Sequence, residues 1–242
     1  MYAIKTLGIT KRYRDTVAVD GVDLTVGRGE LFALLGVNGA GKTTLIKMLS
    51  CLTKPTAGDA HVLGHSVVTD SGSVKSLIGV SPQETAIAPN LSVKENLALI
   101  AGLHSFSKER RDDKIRELSE KLDLGAVLDK KAGKLSGGWQ RRVSIAMALI
   151  SEPEVLFLDE PTLGLDVIAR SELWDVIRSL KEKCTVILTT HYMEEAEALS
   201  DRIGIMKDGR LLRVGTAEEM MKETGADRFE NAFIAIVREV KE

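Results

Sequence analysis

Residues 31–52 constrain this chain more than any other stretch. Leu31-Phe32-Ala33-Leu34-Leu35 is a short unbroken apolar run, as in a strand covered on both faces of a sheet. It runs into Gly36-Val37-Asn38-Gly39-Ala40-Gly41-Lys42-Thr43, with four residues between the first glycine and Gly-Lys-Thr. Glycines let such a loop curl until its N–H groups point inward at phosphate oxygens. A helix expected over 42–52, ending before Pro55, turns its positive end toward the same anion. There Lys42 reaches the β- and γ-phosphates and the Thr43 hydroxyl can ligate Mg²⁺. Strand, glycine loop and helix together open an α/β fold on a mainly parallel sheet.

A second motif answers the first. Val155-Leu156-Phe157-Leu158 reads as another buried strand, and it delivers Asp159-Glu160 at its carboxyl end, where open α/β sheets place ligands. Asp159 suits Mg²⁺, through water, and Glu160 is placed to polarise an attacking water as general base. An acidic strand end is common by itself; coupled to the phosphate loop it indicates a nucleoside triphosphatase.

The remaining pattern gives the organisation. Residues 22–26 alternate and predict one half-buried strand, turned by Gly27-Arg28-Gly29. Ser92-Val93-Lys94-Glu95 is a capping box, with Val93, Leu97 and Ile100 on one helical face. A second helix carries Ile115, Leu118 and Leu122; Asp112, Asp113 and Lys114 read as solvated surface. The α/β rhythm returns in a helix around Leu173, Trp174, Ile177 and Leu180 and a strand over 185–189. Strands over 203–206 and 211–214 join through Asp208-Gly209 as a hairpin. Thr216 and Glu219 cap a short helix, and Phe229, Phe233, Ile236 and Val240 line a last one. The expected division is an α/β lobe from 1–84 and 153–215, a helical subdomain over 85–152, and C-terminal helices over 216–242.

Leu135-Ser136-Gly137-Gly138 admits two readings. Ser136 can cap a helix beginning near Trp139 beside a glycine turn, or the exposed N–H groups can form a second anion site. Leu-Ser-Gly-Gly followed by Gln140-Arg141-Arg142, upstream of the Asp-Glu strand, resembles the signature of ATP-binding cassette (ABC) transporter ATPases. The resemblance extends over nearly the whole chain. It implies an N-terminal antiparallel β subdomain, an inserted helical subdomain, and MgATP as the cofactor. Gly36, Val37, Asn38, Gly39, Ala40, Gly41, Lys42, Thr43 and Thr44 then bind nucleotide. Tyr13 lies where the family stacks a ring on adenine, with a buried tyrosine as the alternative. Gln83 matches the glutamine that reaches Mg²⁺ alongside Thr43 and Asp159. Gly164-Leu165-Asp166 matches a loop that crosses to the other subunit, and His191 the histidine at the γ-phosphate. His61, His65 and His104 match nothing.

The same resemblance implies a dimer in which Ser136, Gly137 and Gly138 close over the partner's ATP. Trp139, where relatives carry Gln, Glu or Met, then lies at that interface or packs into its own subdomain. Val167 stands where many relatives have proline. Implied partners are a second copy or a homologous ATPase subunit and separate integral membrane permease subunits. The Thr-Thr-His-Tyr-Met-Glu-Glu-Ala-Glu stretch from Thr189 resembles bacterial drug, peptide or polysaccharide exporters. A soluble relative such as an iron–sulfur assembly factor would share every catalytic motif, and an importer subunit is the other alternative.

Composition agrees with this. Thirty-three basic against 35 acidic residues leave a net charge of −2, which argues against a nucleic-acid partner. No apolar run is long enough to span a bilayer, and Met1-Tyr2-Ala3-Ile4-Lys5 lacks a signal peptide's layout. Cys51 and Cys184 read as two core thiols in a reducing compartment. The expected place is the cytoplasm, on the inner face of the membrane through the permease.

Overall fold

The computed structural model describes residues 2–239; the expectations for Met1 and Val240 fall outside them. The chain opens with β1 (Tyr2–Tyr13), β2 (Thr16–Val22) and β3 (Thr25–Gly27). The single strand expected over 22–26 is therefore broken. Both β2 and β3 pair antiparallel with β1, and the chain steps between them at Asp23 and Leu24. Thr6 fastens the step: its hydroxyl donates to the Val22 carbonyl at 2.8 Å and accepts from the Leu24 N–H at 2.7 Å. Next come β4 (Leu31–Leu35), α1 (Lys42–Leu49), β5 (Ala57–Val62) and β6 (His65–Ser66). The antiparallel sheet runs β2-β1-β5-β6, with β3 also on β1. Helix α1 stops at Leu49 rather than reaching 52, and Cys51 takes a left-handed backbone, φ 58°.

The middle of the chain forms α2 (Ser71–Leu77), β7 (Ile78–Ser81), α3 (Val93–Leu103), α4 (Lys108–Lys121) and α5 (Gly137–Leu149). The reciprocal capping box starts α3, Glu95 N–H donating to Ser92 Oγ at 3.1 Å and Ser92 N–H to Glu95 Oε2 at 2.7 Å. Lys114 is not a solvated charge as expected: its ammonium bridges Glu117 at 2.8 Å and Glu152 at 3.0 Å. A long apolar stem lets a lysine do this while lying against its neighbours. The chain then lays down β8 (Val155–Asp159), α6 (Val167–Leu180), β9 (Thr185–Thr190), α7 (Met193–Leu199), β10 (Arg202–Lys207), β11 (Arg210–Gly215), α8 (Ala217–Thr224) and α9 (Phe229–Glu239). Asp208 and Gly209, at φ 48° and 79°, make the left-handed pair that a two-residue hairpin requires.

The central sheet has the order β11-β10-β4-β9-β8-β7, parallel from β10 to β7 and closed by the antiparallel β11. Alternation sorts each buried strand between two cores. Phe32 and Leu34, with Phe157 and Ile187, face the core that holds α1 and the antiparallel sheet. Leu31, Ala33 and Leu35, with Leu156, Leu158, Val186 and Leu188, face the core built with α3, α4, α5 and α6. The helical segment thus rests on one face of the sheet. Cys184 is buried there, and burial pushes its thiol up to about 11; Cys51 is only half-buried. At the functional edge, Leu35 pairs with Thr190 and Asp159 with Thr189, so three strand ends emerge side by side.

Candidate active site

The loop after β4 wraps the start of α1 because glycine stands where nothing else fits. Gly41 has φ 100°, and a Cβ there would collide with the Ala18 carbonyl oxygen. Lys42 is turned inward and buried. Its ammonium donates to the Gly36 carbonyl at 2.6 Å and the Val37 carbonyl at 3.3 Å, and lies 3.3 Å from Glu160 Oε1. Asn38, Gly39, Ala40, Gly41, Lys42, Thr43 and Thr44 line a cavity of about 500 Å³, completed by Ala18, Gln83, Glu160, Leu163 and His191. That is the size range of small-ligand pockets. Gly36 and Val37 do not line it; their carbonyls accept from Lys42.

The acidic strand end meets this loop from the side. Thr43 Oγ1 donates to Asp159 Oδ1 at 3.0 Å, and Thr189 Oγ1 donates to the same oxygen at 2.5 Å. The Thr189 hydroxyl also accepts from the Glu160 N–H at 2.9 Å, tying β9 to the β8 turn. Glu160 itself has φ 49°, a conformation costly for a residue with a side chain and common at active sites. Its Oε2 lies 2.8 Å from His191 Nδ1, and its Oε1 faces Lys42. The adjacent Thr43 hydroxyl and Asp159 carboxylate, with Gln83 across the cavity, are the hard oxygen donors that Mg²⁺ prefers, so the donor set fits that ion.

The other expected residues lie elsewhere. Tyr13, at the end of β1, is exposed with the Lys11 ammonium 5.0 Å from its ring centre. Helix α5 begins at Gly137, before Trp139, and the Ser136 hydroxyl makes no capping bond, which corrects the expected cap. The extended backbone of Ser136 (φ −62°, ψ 160°) already sets the boundary, so the two glycines enter the helix and its first N–H groups stay open. Trp139 is half-buried against the helical core, with the Arg142 guanidinium 5.1 Å from its ring. Asp166 caps α6, accepting from the Ile168 and Ala169 N–H groups at 2.9 Å each. A Cβ on Gly138 would sit 3.3 Å from Ala169 Cβ, so the 136–139 turn and the start of α6 share one surface outside the cavity. His61 and His65 are half-buried, the latter bonded to Asp70 at 2.7 Å, and His104 is exposed.

Two residues carry weight that sequence reading missed. Thr189 was visible only as part of a threonine pair before His191. Arg141 was visible only as a neighbour of the glycines, yet it is buried and donates to the Pro82 and Gln83 carbonyls, both at 2.7 Å. Burial pulls its pKa down, with Asp159 opposing. The helix behind Ser136 therefore holds the Gln83 loop directly. Arg141→Ala is expected to cost about 3 kcal/mol of stability, read by urea unfolding. Arg141→Lys is expected to recover little, because one ammonium cannot match the two-pronged contact.

The description ABC transporter applies to residues 19–163 through a family model. The daunorubicin resistance ATP-binding protein DrrA3 of Streptomyces coeruleorubidus is 47% identical over 94% of this chain and 72% of its own. The daunorubicin/doxorubicin resistance ATP-binding protein DrrA of Streptomyces peucetius is 40% identical, over 93% and 68%. The dimeric post-hydrolysis structure of the ATP-binding cassette MJ0796 with ADP and Pi matches with a TM-score of 0.80. It is 28% identical and covers 88% of this chain and 98% of that one. A phosphate loop, an acidic strand end and a histidine converge on one cavity inside a fold shared with these cassettes. This chain is an ATPase and belongs to the ABC transporter family.

Proposed function

We propose that this chain is the ATP-hydrolysing subunit of an exporter. It works as a pair with a second copy or a homologous ATPase subunit, beneath separate membrane-spanning permease subunits. The observation that carries this reading is the open first turn of α5. Ser136, Gly137 and Gly138 leave a hydroxyl and N–H groups without an intrachain cap, on a surface apart from the chain's own cavity. The first turn of α6 beside it exposes Val167 and Ile168, at 78% and 72%. Such a surface suits the triphosphate bound by another cassette.

Within one cassette the loop N–H groups and Lys42 bind the phosphates. Thr43, Asp159 and Gln83 hold Mg²⁺, which when bound neutralises phosphate charge. Glu160 accepts the proton of the attacking water, and the His191 ring, hydrogen-bonded to it through Nδ1, turns its other nitrogen toward the γ-phosphate. Tyr13 stacks on adenine. Ser136, Gly137, Gly138 and Trp139 contact the partner's ATP, and Asp166 positions the crossing loop. These cross-contacts exist only in the closed pair, so ATP shifts the population toward closure and hydrolysis releases it. Attachment to the inner face of the membrane runs through the permease in this reading. Among the described residues no helix is long and apolar enough to cross a membrane.

Export is favoured by the two relatives named for drug resistance. The test is transport in inverted membrane vesicles containing this chain and its permease, with daunorubicin as probe. ATP-driven accumulation inside the vesicles is expected. ATP-driven depletion would mean import and overturn the reading.

A further inference from the structure

Glu195, in the first turn of α7, has no solvent exposure. Its Oε1 accepts from the Trp174 indole N–H on α6 at 3.1 Å. Its Oε2 has no partner of hydrogen-bond geometry among the described residues, and neither has the equally buried hydroxyl of Thr162. The hydroxyls of Thr162 and Thr190 both lie beside this carboxyl. Thr190 Oγ1 also accepts from the Tyr192 N–H at 3.0 Å, which leaves its own O–H free to donate. Three segments of the site meet at this point. Thr162 follows Glu160 at the end of β8, Thr190 precedes His191, and Trp174 belongs to the helix that Asp166 caps.

An ionised carboxylate here would be cut off from water, with only neutral donors beside it. Burial is the largest influence and raises its pKa; Thr190, Thr162 and Trp174 oppose it, and the Glu160 carboxylate adds the smallest push upward. Among the described residues no cation is bonded to Glu195: Lys42 faces Glu160, and the Arg170 guanidinium lies 4.5 Å from the Tyr192 ring centre, its own Nε without a hydrogen-bond partner. A proton on Oε2 removes the buried charge. The carboxyl then donates to Thr162 Oγ1 while Oε1 keeps the indole, and one bond satisfies two orphaned atoms.

We propose that Glu195, in its protonated form, is a positioning residue that braces the Glu160 turn, the His191 segment and α6 against one another. The proposal rests on the assignment of Glu160 and His191 to hydrolysis. Through one carboxyl group it ties α6, which Asp166 caps, to the segment that follows Glu160.

Two variants and three readouts test it. Glu195→Gln keeps a donor toward Thr162 and an acceptor for Trp174, so its ATP turnover is expected within about twofold of wild type. Glu195→Met fills the space without either bond, and its kcat is expected to fall by about tenfold with KM little changed. Infrared spectra give the second readout: a protonated carboxyl stretch in wild type that is missing in Glu195→Gln. Stability gives the same sign. The folded chain keeps this proton where an unfolded glutamate, at about 4.3, has lost it. Wild type therefore loses stability against Glu195→Gln as pH rises above that value.

The proposal is overturned if Glu195→Gln is as slow as Glu195→Met, if Glu195→Met turns over normally, or if the carboxyl band is not assigned to Glu195. Should Glu195→Met fail to fold, the Glu195→Gln turnover and the infrared band decide alone. Normal hydrolysis by Glu160→Gln would instead sink the underlying site assignment and leave the band untouched.

Discussion

Glu160→Gln is expected to lower ATP turnover by about 10²–10⁴-fold while ATP still binds. The amide keeps the size of the side chain and can accept from His191 Nδ1, which lies 2.8 Å from Oε2. What is lost is the basic oxygen proposed to take the proton from water. The ion pair to Lys42, at 3.3 Å, weakens to a hydrogen bond, which leaves the ammonium freer to meet phosphate. Trapped nucleotide should hold two cassettes together, so sizing with MgATP should reveal a dimer that is absent without nucleotide. Ser136→Arg in the same background should prevent it. Full turnover by Glu160→Gln would contradict the role of the base, and a dimer independent of nucleotide would contradict closure by ATP.

Lys42→Ala is expected to fail at the earlier step. Removing one partner from a buried charge pair costs about 2–5 kcal/mol, equivalent to a roughly 30- to 5,000-fold weaker ATP affinity. The structure adds a consequence for the free chain. Lys42 and Glu160 are both buried, and the ammonium is also the donor to the Gly36 and Val37 carbonyls. Without it, Glu160 retains only the His191 contact and the loop loses its internal anchor. The variant should melt earlier than wild type even without nucleotide. Calorimetric titration with ATP and a thermal melt of the free chain check both effects. Undiminished affinity would remove Lys42 from the phosphate site.

The capped and turned elements were legible because their causes are local. The Ser92–Glu95 box, the Asp208-Gly209 hairpin and the left-handed Gly41 each depend on residues a few positions apart. The break between β2 and β3 was not legible, because the alternation of residues 22–26 carries no trace of Thr6. The Ser136 expectation failed for a related reason. A serine before two glycines is a sound cap signal, but Ser107 caps α4 from nearly the same backbone, so the difference lies in the orientation of the Ser136 side chain, which the local residues leave free.

What the sequence by itself determined was the chemistry: a phosphate loop with Lys42 and Thr43, an acidic pair on a buried strand end, and a histidine after another. The family signature placed them in one class of ATPase. What only the tertiary structure decided was the order β4-β9-β8, which puts Asp159 between Thr43 and Thr189 and Glu160 between Lys42 and His191. The strands at 31–35, 155–159 and 185–190 are all fully buried and nearly interchangeable as patterns. Their neighbours are chosen by packing on both faces of the sheet, between residues far apart in the chain. The Arg141 clasp on Gln83 and the meeting of Glu195 with Thr162 and Trp174 depend on the same packing, for the same reason.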